Sequence, residues 1–116
     1  MFIAIGNFKL KEKKQLFQFL RLSKKIEQQA LKAAGNVEVK LLGGSLTNFY
    51  VLSKWESVEA MQNFSRTGFH KEAIARSKDL SSEIRLIYFE GDQDLTKKEV
   101  KTMLHEDERV RVLKFN

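Results

Sequence analysis

The sequence predicts an α+β fold, with one antiparallel sheet, two main helices packed on one of its faces, and an extra helix and strand at the end. Three observations lead there. The spacing of apolar residues switches repeatedly between two-residue alternation and the three-to-four spacing of a helix, in the order β-α-β-β-α-β and then α-β. Glycine falls in several of the connections, and the chain contains no proline, which fits elements packed end to end on short links. With 116 residues, 42% hydrophobic and 31% charged, the chain suits a single domain over residues 1–116 with a core that needs no staples.

Residues 2–8 are short, apolar and β-prone, and read as the first strand. From residue 13 to residue 34, Leu16, Phe19, Leu20, Ile26, Ala30, Ala33 and Ala34 fall on one helical face, and Gly35-Asn36 supplies the stop. Residues 37–42 and 47–54 read as a hairpin about Gly43-Gly44-Ser45, whose glycines are expected to take positive φ. A helix over residues 56–66 turns Val58, Met61 and Phe64 inward. Gly68 breaks it, and a second helix to residue 79 places His70, Ala73, Ile74 and Ser77 on one line. Residues 83–90 form a strand. Thr96 and Glu99 have the spacing of a capping box and open a helix through Val100, Met103 and Leu104. Residues 109–115 close the chain as a strand.

The first six elements match the ferredoxin-like split arrangement. Right-handed crossovers then put both main helices on the same face of the sheet. Alternation sends Ile3 and Ile5 to one face and Phe2, Ala4 and Phe8 to the other; Ile84, Leu86 and Tyr88 likewise oppose Ile87 and Phe89. Both faces are apolar, so a second layer is required. A second copy of the chain, sheet against sheet about a two-fold axis, is the expected source, giving a homodimer. The alternative cover is the C-terminal helix of the same chain.

Composition excludes several chemistries. Without cysteine there are no disulfides, thiolate metal sites or cysteine nucleophiles. No apolar run approaches the roughly 20 residues of a membrane span or the centre of a signal peptide, so a cytoplasmic protein without a membrane partner is expected. Phosphate-cradling glycine loops and the Gly-x-Ser-x-Gly elbow are missing. Residues 1–40 carry nine Lys or Arg against three acids and hold the whole formal charge of +6. Arg21, Lys24, Lys25 and Lys32 recur at helical spacing, which reads as a solvated helix face, although such a surface could also attract phosphates or anionic lipid.

His70 is the main candidate for chemistry, because its line places an imidazole inward beside Ala73 and Ile74. There it could move a proton or ligate iron, or simply bond locally beneath the helix break. Asn7 shares a face with Ile3 and Ile5, the helix-facing side if those residues form the core, and a buried amide needs partners or a ligand. Trp55 and Phe64 suit core anchors and equally the wall of a pocket. Arg66 and Arg76 could hold a carboxylate or lie in solvent. His105, among Glu106, Asp107 and Glu108, has no metal-ligand spacing and reads as surface. No metal site is expected.

Trp55-Glu56-Ser57, Met61-Gln62-Asn63-Phe64, Arg66-Thr67-Gly68 and His70-Lys71-Glu72-Ala73-Ile74 together resemble the dimeric α/β-barrel superfamily. The likeness is to the uncharacterised domain family related to spheroidene monooxygenase and, more distantly, to antibiotic-biosynthesis and haem-degrading monooxygenases. It covers about 25 residues well and the order of elements over residues 1–90 loosely. The resemblance implies a homodimer with a small pocket between helices and sheet in each subunit. In the haem-degrading members an Asn on the first strand, a Trp on the helix and a His ten residues beyond it form the site. Asn7 matches the first, Phe64 stands for the Trp and Ile74 for the His, with His70 one turn earlier.

These readings converge on a monooxygenase-like enzyme for a small hydrophobic or aromatic molecule, with Trp55, Phe64 and Ile74 lining the pocket. Were haem the cofactor, His70 would be the ligand and Asn7 would orient oxygen. Without a cofactor, His70 or Asn7 would polarise a substrate oxygen in a water-excluding pocket. A non-catalytic structural or small-ligand-binding dimer, its pocket filled by Met61, Phe64, Phe69 and Ile74, is the alternative. Single-stranded nucleic acid is disfavoured, because no RNP-type run occurs and the face that would bind bases is assigned to the dimer.

Overall fold

A computed structural model describes residues 1–115, apart from the side chains of Phe69 and His70. Five strands, β1 (Phe2–Leu10), β2 (Asn36–Leu42), β3 (Asn48–Trp55), β4 (Ser81–Glu90) and β5 (Arg111–Lys114), form one antiparallel sheet in the order β2-β3-β1-β4-β5. Four helices accompany them: α1 (Leu16–Lys32), α2 (Val58–Ser65), α3 (Gly68–Leu80) and α4 (Lys97–Glu106). The first four strands have the ferredoxin-like order, and β5 extends the sheet beside β4.

Strand register decides which residues share a face. Across β3, β1 and β4, the rows Lys54–Ile3–Phe89, Leu52–Ile5–Ile87 and Tyr50–Asn7–Arg85 lie on one side. Trp55–Phe2–Glu90, Ser53–Ala4–Tyr88, Val51–Gly6–Leu86 and Phe49–Phe8–Ile84 lie on the other. Helices α1 and α2 pack on the second side. Phe19 joins Leu10 and Phe49 at one end, and Ala30 joins Trp55 and Phe64 at the other.

The first side is covered by α4. Val100 and Leu104, both fully buried, close over Ile3, Ile5, Tyr50, Leu52, Ile87 and Phe89. Each such aliphatic side chain contributes roughly 1.5–3 kcal/mol by leaving water. The premise that the monomer's helices cover only one face is therefore corrected, since the chain's own C-terminal helix supplies the second layer.

Local signals set where α4 begins. The Thr96 hydroxyl accepts from the Glu99 backbone N–H at 3.1 Å, while the Glu99 carboxylate accepts from the Thr96 N–H at 3.0 Å. Those bonds hold the Glu99 carboxyl below its ordinary pKa. Lys54, buried at 5% exposure, anchors the preceding loop by donating to Asp94 Oδ1 at 3.0 Å and to the Asp92 carbonyl at 3.2 Å.

Three local expectations change. The β2–β3 connection contains no positive-φ glycine; Gly44 is required there because a Cβ would collide with the Asn48 carbonyl oxygen. Positive φ occurs instead at Gly35, at 84°, just past the end of α1, and at Gly68, at 60°, where α2 gives way to α3. On α1, Leu20 is exposed, because the inward line runs through Phe19, Ile26 and Ala30, and Ala34 is exposed past the end of the helix at Lys32.

Candidate functional site

The helix-facing side is sealed at both ends and part-open between them. At one end the Phe19 ring stacks on Phe49 at 4.7 Å between centroids, with Phe8 at 5.9 Å from Phe19. At the other end Trp55 and Phe64 meet at 4.9 Å, and the indole N–H donates to Ser53 Oγ at 3.0 Å, so its polar atom is satisfied inside the core. Ala60 N–H donates to Ser57 Oγ at 3.1 Å and caps α2, which sets the approach of Phe64.

Between these plugs β1 presents small residues, Ala4 and Gly6, and the Phe8 ring and Leu86 close over Gly6. Ala4, Val51 and Leu86 are half-buried, and Tyr88 is 43% exposed, although they lie under the helix layer of a five-stranded sheet. Burial lifts the Tyr88 phenol above its ordinary pKa, against the opposing charge of Arg111. Helix α3 runs back along this stretch. Its start is held to α1 where Gln29 Nε2 donates to the Thr67 carbonyl at 2.8 Å, and its end where the Lys11 N–H donates to the Leu80 carbonyl at 3.0 Å. Ala73 and Ser77, half-buried, mark its inner line, again with small side chains.

The expected site residues are dispersed. His70 belongs to the first turn of α3, and by spacing it opens the line of Ala73 and Ser77; its side chain lies outside the described residues. Asn7 is on the opposite face, beneath α4, because strand alternation groups it with Ile3 and Ile5. Its Nδ2 donates to Asn48 Oδ1 at 2.7 Å and to the Phe49 carbonyl at 3.0 Å. Trp55 (0% exposed) and Phe64 (8%) are ring-to-ring core, with no gap for a ligand between them. Ile74 is 57% exposed on α3, off its inner line.

Sequence reasoning did not single out Tyr88, and it missed a pairing on the far face. Tyr50 Oη and His105 Nε2 lie 3.2 Å apart, with Lys101 Nζ 5.5 Å from the Tyr50 ring centre. The exposure of His105 was expected, but nothing in its sequence neighbourhood signalled this partner.

The haem implied by resemblance can be tested against these positions. Phe64 fills its space against Trp55, Ile74 offers no ligand atom and points outward, and Asn7 is across the sheet. These described residues do not fit a haem. Among the described residues no three His, Asp or Glu side chains gather to hold a metal ion.

The model of the family described as antibiotic biosynthesis monooxygenase matches residues 1–76. The chain belongs to that family. Solved structures agree on the fold. A Nitrosomonas europaea protein carrying the same family description has a TM-score of 0.72 at 16% identity, covering 80% of this chain and all of its own. SnoaB, a cofactor-independent oxygenase from Streptomyces nogalater, has a TM-score of 0.68 at 13% identity, covering 83% and 97%. Rv0793 from Mycobacterium tuberculosis reaches 0.72 at 9% identity, covering 82% and 98%. No curated protein matches the chain significantly in sequence. Among the described residues no helix is long and apolar enough to cross a membrane.

Proposed function

We propose that this antibiotic biosynthesis monooxygenase family member is a monooxygenase-like enzyme acting on a small hydrophobic or aromatic molecule. Its site is the part-open stretch between α3 and the sheet. The observation that supports this most is the exposure of Tyr88 and half-burial of Ala4 and Leu86 in the middle of a face sealed at both ends. A hollow with an apolar floor and few polar groups is the form that small-molecule sites take.

SnoaB, similar in fold, is a cofactor-independent oxygenase, and the same chemistry is proposed here, with the substrate supplying the electrons. For an aromatic carbon acid, one methylene group and one molecule of dioxygen give one ketone carbonyl and one molecule of water. Two C–H bonds break, one oxygen atom becomes the carbonyl, the other leaves in water, and four electrons pass from carbon to dioxygen. His70 accepts the first proton from carbon. The Tyr88 phenol donates a hydrogen bond to the substrate oxygen, and the Arg111 charge that acts on this phenol stabilises the anion as it forms.

The working unit proposed is a homodimer in the cytoplasm. The likeness of residues 55–74 to the dimeric α/β-barrel superfamily supports this assembly. Sedimentation showing only a 13.5 kDa species at micromolar concentration contradicts the dimer.

The test uses an anthrone-type probe under isotopically labelled dioxygen. One labelled oxygen in the product is expected, with His70→Ala and Tyr88→Phe each slowing turnover about 100-fold at an unchanged unfolding midpoint. Product formation no faster than protein-free autoxidation overturns the enzyme. Binding of the probe without turnover favours the non-catalytic reading, which the filled Trp55–Phe64 core suits. A hemin Soret shift lost in His70→Ala favours the haem reading instead.

A further inference from the structure

The outer face of α1 carries apolar side chains that the core does not use. Phe17 is 79% exposed, Leu20 38% and Leu31 64%. Phe17, Lys24 and Leu31 repeat at seven-residue spacing, so they line one side of the helix, opposite Phe19, Ile26 and Ala30. Phe17 and Leu31 stand about 21 Å apart along the axis at 1.5 Å per residue. Beside this line run Arg21, Lys25 and Lys32, and Lys13 and Lys14 precede it. Glu27 is the one acid between residues 13 and 32, against six Lys or Arg.

A stripe of large exposed apolar side chains embedded in basic charge excludes two occupants and suits a third. A second α1 would bring two strongly cationic helices together, which like-charge repulsion opposes. A single-stranded nucleic acid would use the cations but leave Phe17 and Leu31, spaced for a flat surface, only partly engaged. A helix with apolar and cationic groups on one outer face suits an anionic lipid surface, where the rings and aliphatic chains enter the headgroup boundary and each nearby Lys or Arg adds electrostatic attraction.

We infer that the outer face of α1 is a docking surface for anionic membranes, on which the protein rests through Phe17, Leu20 and Leu31 without any spanning segment. The full chain is tested by co-sedimentation with vesicles of phosphatidylcholine alone or mixed with phosphatidylglycerol. Pelleting with the anionic vesicles only, weakened about tenfold by Phe17→Ser with Leu31→Ser and likewise by Arg21→Glu with Lys24→Glu, is the expected result. Both pairs are exposed, so unchanged far-ultraviolet circular dichroism is expected and shows that folding is intact. Should a pair unfold, Phe17→Trp replaces it, with a blue-shifted added emission expected on anionic vesicles. Absence of pelleting, pelleting indifferent to the serine pair, or retention on single-stranded DNA in place of vesicles each overturns the inference.

Discussion

Asn7 and Trp55 stand on opposite faces of one sheet, although each is excluded from solvent at 1% and 0% exposure. The strand that carries Asn7 turns its odd-numbered side chains to α4 and its even-numbered ones to α1 and α2. Asn7 therefore ties β1 to β3 instead of facing the helix layer of α1 and α2. Asn7→Ala removes the donor to the Phe49 carbonyl and should cost about 1–3 kcal/mol. Urea unfolding checks it, and a loss under about 0.5 kcal/mol contradicts the role.

Phe64 fills the end of the helix-side core against Trp55. Phe64→Ala should leave a cavity there and destabilise the chain by about 3–5 kcal/mol. Ile74→Ala, which removes an exposed side chain, should change stability by less than about 0.5 kcal/mol. Chemical denaturation of both variants decides whether Phe64 is core and Ile74 surface; the reverse order of effects contradicts this.

Ala4 leaves room above β1 because its side chain ends at Cβ. Ala4→Leu adds three carbons to the floor of the proposed hollow. It should weaken binding of an aromatic probe about tenfold, the equivalent of about 1.4 kcal/mol. Fluorescence titration measures this, and unchanged affinity in a folded variant contradicts a ligand at Ala4.

Asp107 is held by Arg109 through 2.8 and 3.0 Å side-chain bonds and by the Arg109 backbone N–H at 2.8 Å, which brings its carboxyl to about 2 from an ordinary 3.8. A carboxyl lowered on folding stabilises the native chain above 3.8, and that contribution disappears as pH falls through about 2. Asp107→Asn should remove this part of the acid dependence. A titration of Asp107 by carboxyl nuclear magnetic resonance with a midpoint near 3.8 contradicts the pairing.

Local signals were legible in the sequence where neighbouring residues settle the structure among themselves. Thr96 and Glu99 cap α4 as their spacing predicts, and Gly68 separates α2 from α3 with its positive φ. The order of strands and helices followed from apolar periodicity. The assignment of faces did not, because β1 is apolar on both sides, and Ile3 and Ile5 look as suitable for one helix layer as Phe2 and Phe8. Only the packing of Val100 and Leu104 decides which layer lies over Asn7. The Tyr50–His105 contact spans 55 positions and depends on how α4 crosses the sheet, which periodicity does not encode. Tyr88 resembled an ordinary alternating strand residue until its exposure was known.

The location of a bound molecule is tested most directly by heteronuclear nuclear magnetic resonance titration with an anthrone-type probe under anaerobic conditions. The amide and side-chain signals of Ala4, Leu86, Tyr88, Ala73 and Ser77 should shift together, while those of Tyr50, Asn7 and His105 stay in place. Shifts confined to the α4 side, or none at saturating probe, would contradict a site between α3 and the sheet.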